Sequence, residues 1–260
     1  MCFEFDARPP ELPDGRAVIA GGAAAESLIL TAGDGNQFAA ALAESPEPRG
    51  PGVVILPDIR GLYRFYVELA ERFAAAGHHA IAFDYFGRTA GAEERDEGFE
   101  FKPHVAATTI EGVQADLAAA RAALAERTGA SQFASVGFCF GGAHSVWAGA
   151  NENLGLDAVV GFYPGLNATD RPNRPHLVAD SDQIKLPVLA LFGGADKNIP
   201  AADREAFDAG LERAGVDHEI VTYPGAPHSF FDKKQEEFAE ASSDAWTRVL
   251  DFLAAEPVEA

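Results

Sequence analysis

The sequence predicts an α/β fold, with a mostly parallel central sheet, helices on both faces and antiparallel strands at the N-terminal edge. Two observations support this class. After residue 52, short β-branched runs alternate with longer segments of helical periodicity, an order that builds a parallel sheet covered by helices. Before residue 50, short apolar segments alternate with glycine-rich turns, which is typical of antiparallel strands. The 260 residues are therefore interpreted as one domain, residues 1–260.

Continuous apolar runs mark the strands in the middle of the sheet. These strands are predicted at residues 53–56, 79–83, 133–136, 158–162, 187–192 and 218–223. The N-terminal edge receives three shorter strands, at residues 17–20, 28–31 and 37–41. Apolar residues at helical spacing predict helices at residues 64–76, 109–127, 142–150, 202–214 and 242–254. Residues 89–104 are polar and acidic, so we expect a long loop over the site.

Composition excludes several classes of function. The net charge of −20 would repel a polyanion, so we expect neither nucleic acid nor an anionic membrane as a partner. No apolar run is long enough to span a bilayer, and no metal-ligand spacing or cofactor motif occurs. The two cysteines, Cys2 and Cys139, fit a reducing compartment. Because the N-terminus also carries no signal-peptide pattern, a cytoplasmic location is expected.

The sequence around Cys139 carries the strongest functional signal. The segment Gly137-Phe138-Cys139-Phe140-Gly141 lies between a predicted strand and a predicted helix. It matches the glycine–x–nucleophile–x–glycine elbow of α/β-hydrolases, with cysteine as the nucleophile. The sharp turn strains the nucleophile's backbone and leaves no room for side chains at the two glycines. The N-terminus of the following helix favours a thiolate. The alternative interpretation is a buried, inert core thiol.

Asp196 and His228 follow Cys139 in the chain order that α/β-hydrolases use, nucleophile, acid and then histidine. Each comes directly after a predicted strand, so both lie at the sheet edge where Cys139 lies and where ligands bind. We expect His228 to take the thiol proton and Asp196 to orient the imidazole. Taken singly, Asp196 could be only a turn residue in a glycine-rich loop, and His228 only a surface histidine.

These motifs resemble those of the dienelactone hydrolase family, and the resemblance covers nearly the whole chain. The motifs are Pro57-Asp58-Ile59-Arg60-Gly61, Asp84-Tyr85-Phe86-Gly87-Arg88, Gly137-Phe138-Cys139-Phe140-Gly141-Gly142, Gly193-Gly194-Ala195-Asp196 and Pro227-His228-Ser229-Phe230. The resemblance implies hydrolysis of an enol lactone, a product of catechol ring cleavage, to an open-chain dicarboxylate such as maleylacetate. It also implies that the family's catalytic Cys, Asp and His fall on Cys139, Asp196 and His228.

The resemblance assigns further roles around the nucleophile. It implies an oxyanion hole formed by the backbone N–H groups of Ile59 and Phe140. An acidic residue after the early buried strand influences the resting thiol in the family, and Asp58 occupies that place. Here the sequence departs from the family's usual Glu, because Asp is one methylene shorter.

Substrate recognition in the family depends on arginines that bind a substrate carboxylate. The resemblance places one of them at Arg88. The second would fall four residues after the catalytic histidine, where this chain has Asp232, which carries the opposite charge. Arg60, beside the expected oxyanion hole, is the candidate replacement because a planar guanidinium suits a carboxylate. The alternative is that Arg60 and Arg88 pair with nearby Asp or Glu, in which case the substrate would be a neutral ester.

Three functions remain in competition at this point. The first is a dienelactone hydrolase with a small-molecule lactone or ester as its substrate. The second is a broader carboxylesterase or thioesterase on the same scaffold, because a fold does not fix a function. The third is a non-catalytic binding protein that keeps the fold. The sequence leaves the oligomeric state open.

Overall fold

A computed structural model describes residues 6–18, 24–93, 95–168, 173–232 and 234–255. An eight-stranded sheet forms the centre of the molecule. Its strands are β1 (Glu26–Thr31), β2 (Gln37–Ala43), β3 (Gly52–Leu56), β4 (Ala80–Phe83), β5 (Phe133–Phe138), β6 (Ala158–Phe162), β7 (Val188–Gly193) and β8 (His218–Tyr223).

Helices cover both faces of this sheet, as the alternating sequence pattern predicts. Within the described residues they are α1 (Arg64–Ala75), α2 (Gly87–Ala90), α3 (Phe101–Ala107), α4 (Ile110–Thr128), α5 (Phe140–Ala148), α6 (Ala201–Ala214) and α7 (Ala239–Ala254). None of these described helices combines the length and the apolarity needed to cross a membrane.

The strand order is β1-β2-β4-β3-β5-β6-β7-β8. Strand β2 pairs antiparallel with both β1 and β4, whereas every pairing from β4 to β8 is parallel. The expected fold class, with antiparallel strands at the N-terminal edge of a parallel sheet, is therefore confirmed. All residues of β3, β4, β5 and β7 are buried, which explains their continuous apolar sequences.

The strand expected at residues 17–20 is wrong where it can be compared with the structure. Ala17 and Val18 lie outside any strand, and residues 19 and 20 are outside the described part of the chain. The backbone N–H of Val18 donates to the carbonyl oxygen of Ala75 at the end of α1. This segment therefore caps a helix, and its short apolar composition did not distinguish that role from an edge strand.

The long loop expected at residues 89–104 is only partly correct, because α2 begins before it and α3 starts at Phe101. The segment carries apolar side chains that pack on the core, including Phe99 and Phe101. Arg95 anchors its centre, since its side chain is 4% exposed and lies 2.9 Å from the carboxylate of Asp84. Its overall polarity obscured these apolar positions.

An aromatic cluster underlies the carboxyl edge of the sheet. The rings of Phe138 and Phe162, on β5 and β6, stack with centroids 4.6 Å apart. Phe231 packs on Phe162 at 4.5 Å and meets Trp246 of α7 edge-on at 5.8 Å. Each buried ring contributes roughly 2–3 kcal/mol by removal from water. The loops that follow these strands are therefore supported by closely packed aromatic side chains.

Candidate active site

Cys139 stands in the sharp turn between β5 and α5. Its backbone has φ 54° and ψ −106°, and conformations of this kind cost a non-glycine residue about 1–3 kcal/mol. The backbone N–H of Cys139 donates to the carbonyl oxygen of Phe162 at 3.0 Å, which ties the turn to β6. The thiol is partly exposed at the first turn of a helix. Cys139 is therefore not fully buried, whereas the alternative interpretation expects a buried core thiol.

The glycines around Cys139 are required by close backbone approach. A side chain at Gly137 would overlap the carbonyl oxygen of Gly141, and one at Gly141 would overlap the carbonyl oxygen of Pro57. Both obstacles are backbone atoms that cannot rotate away. The elbow pattern therefore has the steric basis that the sequence analysis expects.

His228 and Asp196 lie side by side at the ends of β8 and β7. Nδ1 of His228 lies 2.6 Å from Oδ2 of Asp196, and the other carboxylate oxygen accepts the backbone N–H of Asn198 at 2.8 Å. The loops that carry the pair are joined by backbone hydrogen bonds, from Gly194 to Tyr223 and from Ala195 to Ala226. The carboxylate therefore fixes the proton on Nδ1 and leaves Nε2 for the nucleophile.

The ionisation of this pair is shifted strongly. Burial opposes the charge of Asp196, but hydrogen bonds from His228 and Asn198 lower the pKa of its carboxyl. Burial likewise opposes the charged form of His228, but hydrogen bonds to Asp196 and to the Cys139 thiol raise the pKa of the imidazole to about 10. The structure therefore brings Cys139, His228 and Asp196 into one hydrogen-bonded chain, and these contacts favour the imidazolium form of His228.

Ile59 and Phe140 offer two backbone donors beside the nucleophile. Within the described part of the chain, neither N–H donates a hydrogen bond. Phe140 is the first residue of α5, where N–H groups lack helical acceptors. The turn that presents Ile59 is closed by the bond from the N–H of Gly61 to the carbonyl oxygen of Asp58. The Tyr85 hydroxyl also donates to this turn, at the carbonyl oxygens of Pro57 and Asp58.

Asp58 is fully buried at the end of β3. Its Oδ1 accepts the backbone N–H of Arg60 at 2.9 Å, whereas Oδ2 has no hydrogen-bond partner in the described structure. Burial raises the pKa of Asp58 to about 7, an effect that the charge of Arg60 opposes and the charges of Cys139 and Asp232 reinforce. The charge of Cys139 thus acts on the ionisation of Asp58.

The two arginines expected to bind substrate have different surroundings. The guanidinium of Arg88 donates to Asp34 at 2.7 and 3.0 Å and to the buried carboxylate of Asp116 at 2.5 Å. Arg60 lies closer to the candidate site, with Nε 3.7 Å from the carboxylate of Asp58. Its Nη2 donates to the hydroxyl of Tyr63 at 2.8 Å, and its charge lies over that ring. Both arginines therefore already contact acidic or aromatic groups.

Comparison with known proteins assigns the chain to a family. The sequence profile of the dienelactone hydrolase family matches residues 38–256. The chain belongs to this family. A Yersinia pestis protein assigned as a carboxymethylenebutenolidase is 31% identical over 242 residues, which cover 90% of this chain and 89% of that protein. A Synechocystis protein with the same assignment is 32% identical over 240 residues, covering 88% and 96%.

Solved structures agree with the family. The crystal structure of a Klebsiella pneumoniae protein assigned as a dienelactone hydrolase superposes with a TM-score of 0.75 at 28% identity. The match covers 89% of this chain and all of that one. The eight-stranded sheet is thus the α/β-hydrolase fold, and this member of the dienelactone hydrolase family is a hydrolase that acts on esters.

Sequence reasoning missed two side chains beside the candidate triad of this family member. The Tyr163 ring lies 4.9 Å from the ring of His228, and its hydroxyl donates to the buried carboxylate of Asp232 at 2.7 Å. Arg174 places its charge 5.1 Å from the ring of Phe140. Tyr163 could have been found, because it directly follows β6 at the edge where ligands bind. Arg174 lies in a loop with no recognisable pattern.

The side chains at this site of the dienelactone hydrolase family member are of the types that nucleophilic catalysis uses. Among the described residues, no three His, Cys, Asp or Glu side chains are grouped so that they could hold a metal ion. The hydrogen-bonded thiol, imidazole and carboxylate stand next to two unused backbone donors. Such an arrangement can form a covalent acyl intermediate and stabilise the oxyanion that precedes it.

Proposed function

We propose that this protein hydrolyses a carboxylic ester or lactone with Cys139 as the nucleophile, His228 as the acid and base, and Asp196 as the group that orients His228. One observation carries the proposal. The imidazole of His228 is hydrogen-bonded to the thiol on one side and to Asp196, at 2.6 Å, on the other. The position of the thiol at the start of α5 supports its ionisation.

The proposed reaction has two halves. The Cys139 thiolate attacks the carbonyl carbon, and the negative oxygen of the tetrahedral intermediate accepts hydrogen bonds from the N–H groups of Ile59 and Phe140. Collapse breaks the bond from the carbonyl carbon to the alcohol oxygen, and protonated His228 gives this oxygen its proton. Neutral His228 then takes a proton from water, the hydroxide attacks the acyl thioester, and the carbon–sulfur bond breaks. The products are the acid, the alcohol and the regenerated thiolate–imidazolium pair.

The substrate proposed first is the enol lactone dienelactone, which would open to maleylacetate. The names of the relatives at 31% and 32% identity support it. In an open-chain product of a lactone, the alcohol and the acid remain in one molecule, so no leaving group has to diffuse away. We propose a role in the degradation of aromatic compounds for this substrate, together with the cytoplasmic location that the sequence predicts.

The second candidate is a neutral ester or thioester, and the charges of the site favour it. Arg88 is bound by Asp34 and Asp116. The buried carboxylate of Asp232 stands where the resemblance would place a second arginine. An anionic substrate would therefore meet a buried carboxylate in place of one cation and an engaged guanidinium in place of the other.

The deciding experiment measures turnover of cis- and trans-dienelactone and of p-nitrophenyl acetate by the wild type and by Cys139→Ala. Turnover of dienelactone by the wild type alone supports the first candidate. Turnover of the neutral ester alone, again lost in Cys139→Ala, supports the second. Equal activity of the two proteins contradicts the nucleophile, and a wild type that turns over none of these substrates would favour a non-catalytic protein.

A further inference from the structure

Tyr163 occupies the position directly after β6, on the same sheet edge as Cys139 and His228. Its φ of 37° is a left-handed conformation that residues other than glycine rarely adopt. Its backbone N–H donates to the carbonyl oxygen of Leu191 in β7 at 2.7 Å. The preceding carbonyl, of Phe162, accepts the backbone N–H of Cys139. Tyr163 is thus fixed between the elbow and the strand that leads to the acid.

The loop after β8 wraps around the Tyr163 ring. The His228 ring packs on it at 4.9 Å with an angle of 54° between the planes. Asp232, further along the same loop, accepts a hydrogen bond from the hydroxyl of Tyr163 at 2.7 Å. Ser229 has a φ of 61°, so the chain turns sharply directly after His228. One ring therefore contacts both ends of the loop segment that carries the histidine.

The Tyr163–Asp232 pair is closed off from water, with Tyr163 0% and Asp232 2% exposed. A buried phenol needs an acceptor and a buried carboxylate needs a donor, so each group satisfies the other. The hydroxyl consequently points toward the loop after His228. Neighbouring aromatic rings, including Phe138 and Phe230, also pack against the Tyr163 ring.

The contact with Tyr163 supplies a restraint that Asp196 cannot supply. A single hydrogen bond tolerates a broad range of angles, so the bond from Nδ1 to Asp196 leaves the His228 ring free to tilt. Tilting would move Nε2 away from the Cys139 thiol. An aromatic ring packed against the imidazole blocks that motion, and misplacement of a reacting group by about 1 Å can cost about 100-fold in rate.

We propose that Tyr163 and Asp232 form a positioning pair that holds the imidazole of His228 in the orientation that reaches Cys139. The proposal rests on the proposed role of His228 as the acid and base of the reaction. Neither residue touches the reacting atoms in this scheme. Tyr163 acts through its ring contact with the imidazole, and Asp232 acts through the hydroxyl of Tyr163.

Tyr163→Phe is the first test, since it removes the hydroxyl and keeps the ring. We expect kcat for p-nitrophenyl acetate to fall by about 10- to 100-fold, with KM changed less than threefold, because orientation acts on the chemical step. Tyr223→Phe is the matched control. Its hydroxyl donates to Asp244 at 2.8 Å, so it also loses a tyrosine–aspartate hydrogen bond. The control should keep kcat within twofold of the wild type.

Variants of the acceptor give the second test. Asp232→Asn keeps an oxygen that can accept a hydrogen bond from the Tyr163 hydroxyl, whereas the side chain of Asp232→Leu has no hydrogen-bond acceptor. We therefore expect kcat to fall less in Asp232→Asn than in Asp232→Leu. Equal losses in the two variants would overturn the role of the hydrogen bond, and they can be compared even if Tyr163→Phe does not fold.

Nuclear magnetic resonance of histidine labelled with ¹⁵N separates this inference from the proposed reaction, because it needs no ester. Tyr163→Phe should shift the ring nitrogens of His228, and Tyr223→Phe should leave them unchanged. In a His228→Ala background, Tyr163→Phe should cost no further activity. Unchanged His228 resonances would overturn the positioning role. So would a loss of activity from Tyr163→Phe that is as large in the His228→Ala background as in the wild type. A failure of the Cys139→Ala experiment would instead overturn the reaction and leave the resonance result standing.

Discussion

Asp196 and Asp58 are both carboxyl groups buried at the same edge of the sheet, yet their pKa values move in opposite directions. Asp196 has a donor for each oxygen, from His228 at 2.6 Å and from the backbone of Asn198 at 2.8 Å, and its pKa is lowered. Within the part of the chain that the structure describes, Asp58 has a donor for one oxygen only, and burial raises its pKa to about 7. Burial alone therefore does not set the charge of a carboxyl group; hydrogen-bond donors and neighbouring charges decide it.

The comparison also separates two uses of a carboxyl group. A permanently charged Asp196 can hold His228 and stabilise its imidazolium form throughout the working range of pH. Asp58, with a pKa near neutrality, gains and loses its charge within that range. The negative charge that it adds near Cys139 therefore varies with pH, whereas the charge of Asp196 does not.

The largest expected effect comes from Asp196→Asn. The amide removes the charge that stabilises imidazolium and can donate to Nδ1, which favours the wrong tautomer of His228. We expect kcat/KM for p-nitrophenyl acetate to fall by about 10³- to 10⁴-fold. Asp244→Asn is the control, since Asp244 also accepts hydrogen bonds from a tyrosine and an arginine but on α7. A loss below tenfold in Asp196→Asn would contradict a charged, orienting Asp196.

A second expected effect concerns stability and Asp58. The native carboxyl keeps its proton up to about pH 7, whereas the unfolded one loses it near 3.8. The free energy of unfolding therefore decreases as pH rises through this window and stays reduced above it. Asp58→Asn removes the free-energy cost of ionising this buried carboxyl group. The variant should therefore be more stable than the wild type above pH 7, by on the order of 2–4 kcal/mol.

Urea unfolding at about pH 4 and about pH 8 measures the Asp58 effect. The stability difference between Asp58→Asn and the wild type should be larger at the higher pH. Asp196→Asn should instead be less stable than the wild type at both pH values, and this difference should shrink only below the ordinary value of 3.8. Its carboxylate stabilises the native state above the ordinary value of 3.8, and this contribution is lost as pH falls through the lowered native pKa. If the free energy of unfolding depended on pH in the same way in both variants, the contrast between Asp58 and Asp196 would be contradicted.

The smallest expected effect is a change in the titration of His228. The hydrogen bond and charge of Cys139 help to raise the pKa of His228 to about 10, so Cys139→Ala should lower it. Because this pKa is above the ordinary 6.5, the stabilisation from His228 is complete below 6.5 and is lost as pH rises through about 10. The ¹⁵N titration of His228 in both proteins measures the shift, and identical curves would contradict a thiolate–imidazolium pair.

Much of the fold and the candidate triad could be predicted because the signals are local. The alternation of buried strands and helices predicts the parallel sheet, and the carboxyl ends of its strands must meet at one edge. Gly137 and Gly141 exclude side chains because of backbone atoms only a few residues or one strand away. Cys139, Asp196 and His228 could therefore be placed on one edge without coordinates.

The prediction was weakest where a residue's role depends on distant partners. Arg88 lies 54 residues from Asp34 and 28 residues from Asp116 in the chain, and no pattern near Arg88 reports these contacts. Asp232 lies 69 residues from Tyr163 in the chain. The sequence around Asp232 therefore shows only an aspartate where an arginine is expected, and not its hydrogen bond to Tyr163. Such pairs form because the sheet order places their loops side by side.

The sequence by itself determined the strand–helix order, the strained elbow at Cys139 and the chain order of the candidate triad, because these depend on periodicity and short-range sterics. Only the tertiary structure decided which carboxyl groups carry charge, which arginines are already engaged, and what packs against His228. Those properties depend on desolvation and on hydrogen-bond donors from remote segments, which become neighbours only when the chain is folded.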